Sequence, residues 1–488
     1  YEFLWLQPLA MLMGYVLLSA ISYVTLSKAE TNERPFGLVK KHVSKPLAWG
    51  WLVATVIANV VFCSAQFALG TDALQGSLGL GNVNPYLITF LLFIIGASLM
   101  WLFSQESKAS KIVDGVIKGL VALIVLSFFG VVIVIGVNGA IAWSELLGGL
   151  VPDFNALFKP TDSFTEAIRL TGNYQEHWTG YISGSQRDII IGAFGTAVGI
   201  NMTFLLPYTL LKKKWKRKER GVARYDLFFG LLIPFILGAS FLIIASASQF
   251  HGKKNSVVNE QAYHEVLDKR LEKEYPDLKS KSENELNQLR ITAPQADKDL
   301  SVMLAKRTVT DLSESLRPIL GDGSKLVFGI GVLAMALSTM LVHMMINGYA
   351  IAEAFGRPDR RKLFLAGALI PAFAGFISPI LWTGEIKTAL AVPASVIATT
   401  LLPIAYLIFL LLLNSRKAMG ADRPKKKVIV NVLMLLAMGV ATFASVWALW
   451  SKIQSEAIYE QYFGWIGIIG LPILAITGVY SYLKKEGR

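Results

Sequence analysis

Cysteine is nearly absent from this chain. The single Cys63 in 488 residues excludes an intrachain disulfide and a cysteine-based metal site. Histidine is also sparse, and no pair among His42, His177, His251, His264 and His343 has the spacing of zinc ligands, which argues against a metalloenzyme. Charge is scarce as well: Asp, Glu, Lys and Arg make up 17% of the residues, against about 25% in a typical soluble domain. With 53% apolar and 11% aromatic residues, a soluble fold of this length is excluded. No catalytic motif is present, so the chain does not read as an enzyme and no cofactor is expected.

What the sequence does contain is long apolar runs. They fall at residues 3–26, 47–69, 86–104, 113–138, 188–211, 226–249, 325–350, 362–382, 389–413, 428–450 and 463–483. At 1.5 Å per helical residue each crosses about 30 Å of hydrocarbon. The expectation is an all-α polytopic membrane protein with eleven transmembrane helices, embedded in a lipid bilayer.

The net charge of +13 raises the question of a nucleic-acid partner, and its placement answers it. Loops 27–46, 212–225, 351–361 and 414–427 hold most of the excess, most densely at Lys212, Lys213, Lys214, Lys216, Arg217, Lys218 and Arg220. The loops between them are nearly bare: no Lys or Arg in 70–85, only Lys387 in 383–388 and only Lys452 in 451–462. That alternation is what the positive-inside rule produces. It places the basic loops and the C-terminus in the cytoplasm, at the inner (plasma) membrane, and leaves no role for nucleic acid. An odd number of spans then puts Tyr1 outside. No basic segment or cleavage site precedes Phe3 to explain its export, so one further helix ahead of Tyr1 is expected.

Three regions follow: helices in 1–249, an extracytoplasmic helical insertion at 250–322, and helices in 323–488. Within the insertion, Glu260, Glu265, Asp268, Lys269, Arg270, Glu272 and Lys273 alternate with Val266, Leu267 and Leu271 at helical spacing. This reads as a solvated helical cap; docking of a protein partner or collecting of metal is the alternative, and the spacing demands neither. Inside the eleven spans there is no Asp or Glu, since Asp114, Asp188 and Asp226 sit at span ends. A hard divalent cation calls for charged oxygen ligands. A charged ligand for a transported metal is therefore expected from beyond this sequence.

The run from Gly192 to Phe204 passes small residues through the middle of a span and then meets Asn201 and Thr203. Such a run suits either a local break of the helix, which frees backbone carbonyls for an ion, or close helix packing. This segment, the basic loop after it, and the stretch from Arg224-Tyr225-Asp226-Leu227 to Phe250-His251-Gly252-Lys253 resemble the sixth and seventh helices of the NRAMP divalent-metal transporters. Leu316-Arg317-Pro318-Ile319-Leu320-Gly321 resembles the entry to the eighth helix, Ser395 through Pro403 part of the tenth, and Tyr1-Glu2-Phe3-Leu4-Trp5 the start of the second. The insertion at 250–322 is longer than is usual in that family.

The resemblance implies a LeuT-like five-plus-five inverted repeat that moves a divalent metal ion by alternating access, held between broken first and sixth helices. It also exposes departures. The first-helix Asp-Pro-Gly-Asn signature is not found, and where the sixth helix of the family has Met-Pro-His this chain has Gly199, Ile200 and Asn201. Loss of the soft thioether removes a preference for Mn, Fe and later metals, and Asn201 offers a hard oxygen that suits hydrated Mg²⁺. In this the chain looks like the NRAMP-related branch that transports magnesium. Ser395 aligns with a glutamine that approaches the metal in the family. The metal-site candidates are thus Gly199, Asn201 and Ser395, with Asn59, Thr203 and Thr399 along the pathway.

The third helix of the family carries acidic residues on a proton route, but Ile57 to Ser64 has none here, so weak or absent proton coupling is expected. Asn59 reads equally well as a hydrogen-bonding partner of a neighbouring helix. His343 among Met340, Met344 and Met345 reads as packing. The alternatives are a proton-coupled Mn²⁺/Fe²⁺ transporter and a non-transporting membrane scaffold or receptor of the same fold.

Overall fold

A computed structural model describes residues 2–31, 33–105, scattered residues of 111–141, 143–250, 259–314, 317, 321–382, 390–455 and 458–487. Among them the chain is helical, with no strand. The long helices are α1 (Leu6–Ser27), α2 (Lys45–Asp72), α3 (Pro85–Phe103), α4 (Gln175–Ala197), α5 (Ile200–Lys212) and α6 (Ile233–Phe250). After them come α7 (Glu260–Glu274), α8 (Glu283–Thr292), α9 (Gln295–Leu304), α10 (Ser324–Ala354), α11 (Arg361–Phe376), α12 (Ala391–Asn414), α13 (Lys427–Ile453) and α14 (Ile458–Glu486).

Local chemistry sets several ends. Ser44 accepts from Leu47 N–H ahead of α2, Asn84 accepts from Tyr86 N–H ahead of α3, and a proline stands in the first turn of each helix, where its missing donor costs nothing.

Nine helical stretches among the described residues are long and apolar enough to cross a membrane. Of the expected span at 113–138 about half of the residues lie outside the described ones, as do residues 1, 251–253, 316 and 318–320 of the segments compared above. The span expected at 362–382 is shorter than drawn, because α11 stops at Phe376 and a separate turn, Ser378–Leu381, follows. Pro379 explains the stop: it removes a donor and its ring clashes with the carbonyl four residues back.

The basic loops converge on one face, as their alternation requires. A cavity of about 1360 Å³ there is lined by Arg34, Lys40, Lys212, Lys214, Arg360 and Arg361 from three of those loops. On the same face Arg34 pairs with Asp359 at 2.8 Å and with the buried Glu353 at 3.6 Å.

The start of α4 differs most from expectation. It begins at Gln175, thirteen residues before the apolar run at 188. Its polar first turns are held by the insertion: Trp178 and Ile182 pack with Val266 of α7 and Leu300 of α9. The indole of Trp178 donates to Asp297 Oδ1 (2.7 Å), and Arg270 Nε donates to Asp297 Oδ2 (2.6 Å). Arg270 also bonds Glu274 (2.6 Å), which accepts from Tyr174 at 3.0 Å. The insertion is thus more than a solvated cap; it docks on the N-terminal end of α4.

The hydrogen bond from Arg270 holds the Glu274 carboxyl below its ordinary value of 4.5. A depressed carboxylate stabilises the fold above its unfolded pKa and loses that contribution as pH falls through the folded one. Hydrogen-exchange protection of 260–304 is therefore expected to stay level from pH 7 to about 5 and to fall only below 4.5.

Candidate functional site

The Gly192–Phe204 run contains a true break. Helix α4 ends at Ala197, Val198 (φ −145°, ψ 96°) and Gly199 (φ −72°, ψ 162°) are extended, and α5 starts at Ile200. The last carbonyls of α4 have no partner within their own helix, and they carry the negative end of its dipole. A cation at this point meets partial negative charge without any carboxylate.

Two glycines shape the break by what they leave out. A Cβ on Gly195 would overlap Ser395 O and the Thr399 hydroxyl, so α12 lies directly against the backbone of α4. Thr399 Oγ1 is within hydrogen-bond reach of Ser395 O (2.9 Å) and of Ile191 O on α4 (3.1 Å), which ties the two helices together. A Cβ on Gly199 would lie 2.5 Å from Asn201 Oδ1. The Asn201 carboxamide is buried and turned back over the break, where its oxygen accepts from Met202 N–H at 3.0 Å.

The structure therefore brings Gly199 and Asn201 together at the break and sets Ser395 and Thr399 against α4 one turn before it. Thr203 is engaged elsewhere. Its hydroxyl bonds Ile200 O and accepts from the Trp51 indole (2.9 Å), and Trp51, fully buried, packs its ring on Phe204 (4.8 Å) and Phe409 (5.5 Å). Asn59 stands in another contact: it donates to Asn347 of α10 (3.4 Å), and Asn347 donates to Gly367 O of α11 (3.1 Å). His343 packs, its Nδ1 on Thr339 O (2.7 Å) and its ring stacked 5.2 Å from Phe62. Among the described residues no three His, Cys, Asp or Glu side chains form a cluster fit to hold a metal.

Sequence reasoning missed Trp51, Asn347 and the Arg34–Glu353 pair. For Asn347 a signal existed, since it is a lone amide in an apolar span, where polar groups need partners. About two turns beyond Asn201, Tyr208 of α5 stacks on Tyr349 (4.5 Å) at the wall of the 1360 Å³ cavity, so α5 runs from the break to the basic face.

The profile of the natural resistance-associated macrophage protein-like (Nramp) family matches residues 1–274 and 299–451. The chain belongs to the Nramp family. As an Nramp protein it is a multi-pass membrane transporter of divalent metal, with the LeuT-like Nramp fold, and not an enzyme. Among the solved structures that share that fold are several of a manganese transporter from Eremococcus coleocola. A histidine-to-alanine mutant has a TM-score of 0.68 at 12% identity, covering 99% of this chain and 89% of that one. A complex with an aromatic bis-isothiourea compound gives 0.67 at 13%, with 99% and 89% covered. A glutamate-to-glutamine mutant gives 0.68 at 13%, again with 99% and 89%. No curated protein sequence matches the chain.

The close approach at Gly195 makes a direct prediction. Gly195→Ala forces α12 off α4, because the atoms a Cβ meets are backbone and a short side chain. Metal uptake is expected to fall about tenfold or more, with overpacking costing roughly 1–3 kcal/mol in a thermal-unfolding assay.

Proposed function

We propose that this Nramp protein moves Mg²⁺ or another hard divalent cation through the break between α4 and α5, by alternating access and without proton coupling. One observation carries the reading: the Asn201 carboxamide oxygen stands 2.5 Å from the point where a side chain at position 199 would begin, too close for both to be there. A hard oxygen therefore occupies the place from which a thioether would otherwise project, and oxygen ligands favour Mg²⁺ over softer metals. The carbonyl end of α4 adds partial negative charge, and Ser395 and Thr399 close the α12 side. Mg²⁺ keeps several waters, so few direct ligands suffice. The absence of Asp, Glu and His from Ile57 to Ser64 supports transport without a proton relay on α2. The basic face is cytoplasmic in this reading, and the C-terminus lies there.

A second reading, manganese, is favoured by the structural neighbours, which are manganese transporters. Uptake into proteoliposomes of the full-length protein separates the site from the scaffold. Asn201→Ala is expected to lower Mg²⁺ uptake about tenfold or more, a loss of roughly 1.4 kcal/mol, with unfolding temperature unchanged. Undiminished Mg²⁺ uptake by that variant removes Asn201 from the site.

A further inference from the structure

Beside the cavity already described, the basic face holds a second, of about 1280 Å³, between α1, the Arg220–Leu227 helix and the start of α13. Cations from two separate loops converge on it, among them Lys216, Arg217, Arg220 and Arg224 from one and Lys425 and Lys426 from the other. Only Glu30 and Asp422 oppose them in the lining. Asp422 is already occupied, held by Arg217 (2.7 Å) and Arg220 (2.8 Å), while Arg220 also covers the Tyr23 ring at 4.6 Å. Among the described residues no carboxylate pairs with Arg224, Lys425 or Lys426, and all three are exposed.

Generic positive-inside charge does not require such an arrangement, because scattered lysines satisfy it. Here the free cations stand above an apolar wall of Val16, Ala20, Leu413, Ile429 and Leu433. That wall continues onto the outside of α13, where Val428 is 75% exposed, Ile429 56% and Leu433 46%. On a transmembrane helix such residues meet acyl chains. A ligand filling this cavity is anionic at one end and hydrocarbon at the other. A soluble anion would use only the upper half.

We propose that this cavity is a binding site for an anionic phospholipid, its phosphate among Arg224, Lys425 and Lys426 and an acyl chain along Ile429 and Leu433. Basic pockets between transmembrane helices recognise lipid headgroups in this way. The site bridges α1 and α13, so an occupant strengthens the contact between them. The proposal is independent of which metal is carried.

The test is thermal unfolding of the full-length protein in a zwitterionic detergent, titrated with phosphatidylglycerol, phosphatidylcholine or inorganic phosphate. Phosphatidylglycerol is expected to raise the unfolding temperature saturably, and the other two are not. The combined variant Arg224→Gln, Lys425→Gln, Lys426→Gln is expected to need roughly tenfold or more phosphatidylglycerol for the same rise. Leu433→Asn weakens the response through the apolar wall with every cation kept. Lys214→Gln with Arg360→Gln, in the neighbouring cavity, leaves it unchanged and excludes a general charge effect. Equal shifts with phosphatidylcholine, or a shift with inorganic phosphate that matches phosphatidylglycerol, overturn the proposal. So does a triple variant that keeps the full response.

Discussion

Gly199→Met is expected to invert the metal preference. A side chain at 199 begins 2.5 Å from Asn201 Oδ1, closer than non-bonded atoms tolerate, so the Asn201 carboxamide must rotate away as the thioether enters. A hard oxygen leaves the break and a soft sulfur arrives in one substitution. Mg²⁺ uptake should drop about tenfold or more, and the Mn²⁺ to Mg²⁺ uptake ratio should rise by at least that factor, each tenfold step being about 1.4 kcal/mol. Gly199→Ala separates the two causes. It displaces the oxygen without supplying sulfur, so Mg²⁺ uptake falls with no gain for Mn²⁺. Should the methionine variant keep the native ratio, the arrangement of Gly199 and Asn201 does not set selectivity.

Asp297→Ala is expected to release the insertion from α4. Asp297 is fully buried and accepts from both Arg270 and Trp178, and Arg270 is 1% exposed. Without Asp297 the Arg270 guanidinium keeps Glu274 but loses its buried partner, and breaking a buried pair from one side costs about 3–5 kcal/mol. Limited proteolysis and hydrogen exchange across 260–304 should show the loss as local opening, with the transmembrane helices still protected. Replacing both partners, Arg270→Met with Asp297→Leu, should recover part of the protection, because no buried charge is left unpaired: Glu274 is 38% exposed and returns to water, while the Trp178 indole loses its acceptor. Unchanged protection in Asp297→Ala means that the apolar contacts of Trp178, Val266 and Leu300 suffice to hold the insertion.

Much of this fold was legible because it rests on local signals. Apolar runs of membrane length marked the spans, alternating basic loops gathered on one face, and the run from Gly192 to Phe204 marked a place where a helix either breaks or packs closely. The structure shows both: a break at Val198 and Gly199, and close packing at Gly195. The start of α4 was illegible because residues 175–187 are mostly polar and the apolar partners of Trp178 and Ile182 lie far along the chain, on α7 and α9.

The candidate site was legible as residue types but not as partnerships. That Asn201 turns back over Gly199, that Thr203 serves Trp51, and that Asn59 faces Asn347 depend on rotamers and on contacts spanning up to 288 residues. No local periodicity encodes them. Asn59, read evenly as a pathway residue or as a helix contact, donates its carboxamide to Asn347 of a neighbouring helix.

The central claim is that a hard cation crosses at the break without a proton. It is tested most directly by uptake of Mg²⁺ and of Mn²⁺ into proteoliposomes of the full-length protein, with internal pH recorded in the same vesicles. The account predicts Mg²⁺ entry with no acidification. Mn²⁺-selective entry accompanied by acidification would contradict it, and flux of neither ion would favour a scaffold that kept the fold and lost transport.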